Sequence, residues 1–391
     1  MHPIANIRGS ASKHLVGKRI VLGVTGSIAA VKTVELAREL TRHGAEVHAV
    51  MTKAACDIVH PNALQFGTGN PVITKLTGAV EHVALLGDVP EKADLLLIAP
   101  CTANTVGKIV YGIDDTTVTT CATVALGTGT PIVCAPAMHD AMMHHPKVED
   151  NIAELRKLGV TWVEPKVEEK KAKLADIDHI VDAVIAALAT QKKGKRCLVI
   201  GGATAEPVDD VRVLTNRSSG KTAAILAKEL GRAGAEVELW MGHHTTDLPH
   251  CTTHHFQTHA ELMQLAEGTL AFDEIWMPAA IADYTPERTA GKIPSEQDDW
   301  TIIMQPVEKV IEWLRVRTQA KLIAFKAEAT EDGLVEKARA RLERYSADAI
   351  VANAAASFGA DQTRAFLVTA DQEQLFEGSK QQVMTDIVAA L

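Results

Sequence analysis

Ten short apolar runs, five on either side of residue 190, alternate with amphipathic stretches of helical period, and that alternation restricts the fold more than any other feature of the chain. Before residue 190 the runs are RIVLGVTG, AEVHAVMT, ADLLLIAP, TPIVCAPAM and GVTWVEP; after it they are RCLVIGG, AEVELWMG, DEIWMPAA, KLIAFKAE and DAIVANAA. Strands that are apolar on consecutive residues are covered on both faces, as in parallel sheets flanked by helices. Both halves also pass from strand to loop to helix and then to Gly-Ala-Glu-Val, at 44–47 and 234–237, with each glycine where a helix C-cap belongs. The expectation is an α/β protein of two doubly wound parallel-sheet (Rossmann-like) domains, residues 1–190 and 191–391, divided at the polar, basic stretch 189–195. Such sheets bind ligands beyond the carboxyl ends of their strands.

The remaining bulk properties fit that reading. A chain of 391 residues has room for two cores. A net charge of -9, with no basic run interleaved with aromatics, excludes a nucleic-acid partner. No segment has the length of a signal-peptide core or a membrane span, which predicts a soluble cytoplasmic protein. The six cysteines form no C-x-x-C pair, as suits reduced thiols.

The connection from Thr204 to Lys221, TAEPVDDVRVLTNRSSGK, concentrates charge of both signs between a strand and a helix. The unpaired N–H groups and positive dipole end of that helix, opened by Ser218, Ser219, Gly220 and Lys221, make a phosphate seat. The acids beside it offer a place for a metal or a cationic group. Gly220-Lys221-Thr222 is the second half of a P-loop, but Thr215 stands where the first glycine belongs, which argues against a simple P-loop ATPase. The histidines between 243 and 259 form adjacent pairs rather than i, i+4 ligand pairs, which disfavours a metal site there.

In the first half, Gly26, Ser27 and Ile28 follow the first strand and open a helix. The third glycine of a dinucleotide fingerprint is missing, and the second strand ends at Thr52 rather than at a ribose-binding acid. The pattern suits a mononucleotide whose single phosphate sits on the N–H groups of Ser27 and Ile28.

Three motifs of the first half stand in order at strand ends: Gly26-Ser27-Ile28-Ala29, the run from Ala99 through Pro100, Thr102 and Asn104 to Thr105, and Pro136-Ala137-Met138-His139 leading to Met142. They resemble the flavodoxin-like, homo-oligomeric flavin-containing cysteine decarboxylases. In the second half, the 204–221 run resembles the substrate loop of phosphopantothenate-cysteine ligases, and Ala279 to Tyr284 and Gly291-Lys292-Ile293 resemble that family's nucleotide segment and catalytic lysine loop. Together the halves resemble, in order, the bifunctional proteins of coenzyme A biosynthesis, over all but the first eighteen or so residues.

The resemblance implies FMN held by Gly26, Ser27, Ile28, Thr52, Pro100, Thr102, Asn104 and Met138, with His82 catalytic in decarboxylation. His139 stands where the family has the asparagine that meets the substrate carboxylate. The family's flap cysteine, a proton donor, has no counterpart in segment 164–178, which leaves a lysine or glutamate of that segment, or an impaired second half-reaction. In the ligase half the resemblance implies catalytic Lys292 and Asn216, and substrate binding by Arg212, Ser218, Ser219, Gly220 and Lys221. Nucleotide binding falls to Ala279, Asp283, Lys292, Pro306, Phe325, Lys337, Arg341 and Asn353. Two family lysines are replaced by Arg341 and Tyr345, and Lys337 lies on the same helix face to compensate. Substrates would be 4'-phosphopantothenate, cysteine and CTP or ATP, with Mg2+ entering on the nucleotide. Decarboxylase trimers and ligase dimers would combine into a dodecamer. The rival readings are a flavin-binding regulatory protein with an inactive first half, and a two-domain nicotinamide oxidoreductase.

Overall fold

The computed structural model describes residues 2–168, 171–268, 271–294, 299–328, 330–354 and 362–391. The chain forms two compact units, Met1–Ala189 and Thr190–Leu391.

The first unit is built on a parallel sheet of β1 (Arg19–Val24), β2 (Glu46–Met51), β3 (Leu95–Cys101), β4 (Ile132–Pro136) and β5 (Thr161–Trp162). Their spatial order is β2-β1-β3-β4-β5. This is the flavodoxin-like order, whose direction reverses between β1 and β3. Alternate residues of each strand feed opposite faces: Leu22, Leu97 and Val133 join one core, and Val21, Leu96 and Ile98 the other. The second core is covered in part by the helix Thr117–Gly127, the first by the helix Ile177–Leu188.

The second unit contains an eight-stranded sheet: β6 (Arg196–Gly201), β7 (Glu236–Met241), β8 (Thr252–His255), β9 (Glu274–Met277), β10 (Lys321–Glu328), β11 (Ala349–Ala354), β12 (Gln362–Val368) and β13 (Glu373–Ser379). The order is β8-β7-β6-β9-β10-β11-β12-β13, parallel as far as β11 and antiparallel beyond it. Its reversal of direction lies between β6 and β9. Gly44 and Gly234 follow the helices Thr33–Arg42 and Lys221–Arg232 with φ of 111° and 97°, the cap conformation expected of them.

Three strands depart from the pattern of continuous apolar runs. Thr252–His255 contains no apolar residue and lies at the sheet edge. Gln362–Val368 alternates buried and exposed positions, while most of Glu373–Ser379 is exposed, so neither reads as a covered parallel strand. The 189–195 stretch also differs from a plain linker. Lys192 is 4% exposed, and its Nζ lies 2.7 Å from Oε1 of Glu274, a β9 residue itself 6% exposed. All six cysteines are free, and burial pushes the thiols of Cys121 and Cys197 up to about 12.

Candidate active sites

In the first unit, Thr25 ties the two strand ends at the reversal point together. Its buried hydroxyl donates to the carbonyl of Pro100 at 2.6 Å and accepts from the amide of Thr102 at 3.2 Å. Beyond that tie opens a cavity of about 650 Å³. Gly26, Ser27, Thr52, Thr102, Asn104 and Met138 all line it. Pro100 sits behind the wall as the acceptor for Thr25, and Ile28 faces a neighbouring cavity of about 440 Å³, which His139 also lines.

The larger cavity is walled by helix starts. Ser27, Thr52, Thr102 and Thr116 each cap a helical segment, and their side-chain oxygens accept N–H groups of Ala29, Ala55, Thr105 and Thr119. Four N-termini around one cavity concentrate partial positive charge there, as a bound phosphate needs. Only glycine fits at 26, since a Cβ there would stand 2.5 Å from Cβ of Ala54. The amide of Ser27 turns back to the carbonyl of Thr25 at 2.8 Å, so of the two amides named from the sequence that of Ser27 is bonded within its own turn. Thr116, Thr119, Lys53 and Lys108 also line the cavity and were missed. The available signal was Thr116-x-x-Thr119, a reciprocal capping box written with threonine in place of the usual acid.

His139 is itself an N-cap: its Nδ1 accepts from the amide of Ala141 at 3.2 Å. That bond places the hydrogen of the neutral ring on Nε2. Within segment 164–178 the strands Lys166–Glu168 and Lys171–Lys173 pair antiparallel. Its strand Lys171–Lys173 pairs antiparallel with Met138–His139, and Ala172, Leu174 and Ala175 are buried; residues 169 and 170 lie outside the described residues. His82 belongs to the short helix Glu81–Leu86 and is not among the residues lining these two cavities. Its Nδ1 is buried and has no hydrogen-bond partner among the described residues.

In the second unit the ends of β6, β7 and β9 meet at Ala203, which bridges both His243 and Ala280. Asn216 Nδ2 donates to the carbonyl of Ala280 at 3.1 Å, and Thr204 Oγ1 accepts from the amide of Ala282 at 2.9 Å. The 204–221 connection and the 279–284 segment are therefore joined directly. Ser218 and Ser219 accept the amides of Gly220 and Lys221 at 3.4 Å each, and the helix begins at Lys221. Pro306 pairs with Tyr284 in a two-stranded ribbon, and Asp283 is salt-bridged to Lys309.

The paired acids of the 204–221 connection hold peptide groups and arginines. Asp209 is 2% exposed and accepts amides of Val211, Arg212 and Ile293 and the Arg212 guanidinium, at 2.6 to 3.1 Å. Burial pushes its pKa up, but these bonds outweigh burial and hold the carboxyl below its ordinary value. Among the described residues no cluster of three or more His, Cys, Asp or Glu side chains could hold a metal ion. The histidine-rich run is otherwise occupied, with His244 stacked on His255 at 5.9 Å and His259 Nε2 bonded to the carbonyl of Glu308 at 2.7 Å.

Phe325 lies on β10, Asn353 on β11, and Lys337 and Arg341 on the helix Leu334–Tyr345. Glu328 lies between Lys326 at 2.8 Å and Lys337 at 3.2 Å, which together hold its carboxyl below the ordinary value. Arg341 donates to the hydroxyl of Tyr345 at 2.5 Å.

Two family descriptions cover the chain: Flavoprotein at residues 8–189, and DNA/pantothenate metabolism flavoprotein C-terminal domain at 192–391. The coenzyme A biosynthesis bifunctional protein CoaBC of Thermococcus kodakarensis is 44% identical over 381 residues, covering 95% of this chain and 94% of the relative. The chain belongs to the CoaBC family. The CoaBC protein of Methanocaldococcus jannaschii is 37% identical over 397 residues, covering 99% of this chain and 96% of the relative. Among solved structures, the FMN-dependent cysteine decarboxylase SpaF is 35% identical, with 45% of this chain and 99% of that chain covered and a TM-score of 0.39. As a CoaBC protein, this chain is a bifunctional enzyme of coenzyme A biosynthesis with a decarboxylase and a ligase activity. No helix among its described residues is long and apolar enough to cross a membrane.

Proposed function

We propose that the second unit joins cysteine to 4'-phosphopantothenate and that the first decarboxylates the product to 4'-phosphopantetheine. The observation that supports the first-unit assignment is the cavity of about 650 Å³ at the β1/β3 reversal, walled by four helix N-termini that would favour a phosphate. Gly26, Ser27, Thr52, Thr102, Asn104 and Met138 would hold FMN there, with Ile28 and Pro100 shaping the surround. When bound, the flavin would accept a hydride from the thiol-bearing carbon, which eases loss of the carboxylate, and would return it with a proton to the resulting enethiol, so that the conversion is redox neutral overall. His82 moves the accompanying proton. His139 presents its Nε2 hydrogen to the substrate carboxylate, because its Nδ1 is engaged as a helix cap.

In the second unit the carboxylate of phosphopantothenate attacks the α-phosphate of CTP or ATP, releasing pyrophosphate, and the cysteine amine then displaces the nucleotide. Lys292 stabilises the charge that gathers at the α-phosphate. Asn216, held against the 279–284 segment, orients the acyl carbonyl for the second step. Arg212, Ser218, Ser219, Gly220 and Lys221 receive the substrate phosphate at the helix start. Ala279, Asp283, Pro306, Phe325, Lys337, Arg341 and Asn353 accommodate the nucleotide, which brings Mg2+ with it.

Assembly into trimers through the first unit and dimers through the second, a dodecamer in all, is the quaternary reading. Support comes from exposed apolar side chains: Ile28, Val80 and Tyr111 in the first unit, and Val211, Val213, Tyr284 and Ile303 in the second. Position 82 agrees with it, since His82 lies outside the cavity walls of its own chain. Denaturing the purified protein and identifying the released cofactor tests the first-unit assignment. FMN near one per chain supports it, and NAD(P), FAD or no cofactor after reconstitution with FMN overturns it.

A further inference from the structure

We infer that Asp209 and Asp210 are positioning residues that hold Lys292 by the peptide groups on either side of it; this rests on the catalytic reading of Lys292. The amide of Gly291, immediately before Lys292, donates to Oδ2 of Asp210 at 3.0 Å. The amide of Ile293, immediately after it, donates to Oδ2 of Asp209 at 3.1 Å. Backbone bonds extend the seam, from the amide of Asp210 to the carbonyl of Gly291 at 3.2 Å and from the amide of Thr289 to the carbonyl of Val208 at 3.0 Å. Arg288 closes it from outside, with Nη2 2.8 Å from Oδ1 of Asp210.

Among the described residues the lysine loop is otherwise held by its backbone bonds to Val208 and Asp210 and by the Arg212 guanidinium at the Ile293 carbonyl. Lys292 is exposed, and Ile293 provides the buried apolar anchor beside it. A loop whose peptide groups flanking the lysine were left unbonded would sample more lysine positions, each costing entropy to order at the moment of reaction. Two carboxylates gripping adjacent amides remove that freedom in advance, the preorganisation that electrostatic catalysis requires. The same grip couples two parts of the site. Asp209 also accepts the Arg212 guanidinium at 2.8 Å, and that guanidinium donates to the carbonyl of Ile293 at 3.3 Å, so the substrate loop and the lysine loop are tied to each other directly.

Asp210 offers the cleaner test, because it is exposed while Asp209 is buried. In the full-length enzyme, Asp210→Ala should slow single-turnover formation of the acyl-nucleotide about ten- to a hundredfold. KM for phosphopantothenate and carbon dioxide release from supplied phosphopantothenoylcysteine should stay within about twofold, the margin of a contact made outside the substrate pocket. Asp210→Asn keeps an oxygen for the Gly291 amide and should restore most of the rate. An unchanged rate in Asp210→Ala, or a loss that Asn fails to rescue, overturns the positioning role. Lys292→Gln, measured alongside, separates the two ideas: an unaltered first-step rate in that variant removes the catalytic reading itself.

Discussion

Lys192 Nζ lies 2.7 Å from Oε1 and 3.0 Å from Oε2 of Glu274, a buried ion pair between the first turn of the second unit and the β9 strand of its sheet. Glu274 also accepts the indole N–H of Trp276 at 3.0 Å, and the Lys192 amide bonds the carbonyl of Ala233 at 2.9 Å. Removing one partner of a buried pair leaves an uncompensated charge, at a cost of about 3–5 kcal/mol. Lys192→Ala should therefore lower the denaturant midpoint of the second unit. Ligase activity should be lost at lower urea than in the parent protein, while flavin fluorescence of the first unit reports an unmoved transition.

The Asp209 and Asp210 carboxyls make acid a selective perturbant. Burial raises the pKa of Asp209, but the amides of Val211, Ile293 and Arg212 more than offset it; at Asp210 the Arg288 guanidinium and the Gly291 amide lower it. A carboxyl whose folded pKa is depressed contributes stability above its unfolded value, near 3.9, and loses it as pH falls through the folded value. The second unit should thus lose stability below about pH 4. Asp210→Asn should flatten that dependence in urea titrations across the acid range; an identical pH profile would show that the seam carries no linked proton.

The His82 assignment separates the two chemistries. His82→Asn should abolish carbon dioxide release while leaving nucleotide-dependent pyrophosphate release intact, because the units have separate cores. Equal loss of both activities would indicate a folding or assembly defect. Unchanged carbon dioxide release would remove His82 from the mechanism.

Much of the scaffold was legible because burial on both sheet faces leaves continuous apolar runs, and because strand ends in such sheets are where ligands bind. Gly26, Thr52, Thr102 and Asn104 could be placed around one cavity from that rule and their motifs. The half-polar strands at the antiparallel edge were not, since edge strands need no apolar continuity. In the sequence Lys192 looks like linker because charge normally means solvent, and its burial depends on Glu274, more than eighty residues away. From the sequence the acids at 209 and 210 suit a metal or a cationic group. Only the approach of the Gly291 and Ile293 amides shows what else they hold. His139 shows the same limit, because a histidine cap has no sequence signature as firm as serine or threonine.

The most direct test of the account is one coupled reaction on the purified protein, supplied with phosphopantothenate, cysteine and CTP or ATP in the presence of Mg2+. The account predicts nucleotide-dependent pyrophosphate release matched by carbon dioxide release, with 4'-phosphopantetheine as the end product. Pyrophosphate release without carbon dioxide would reduce the first unit to a flavin-binding module, and no cysteine-dependent product with either nucleotide would contradict the account as a whole.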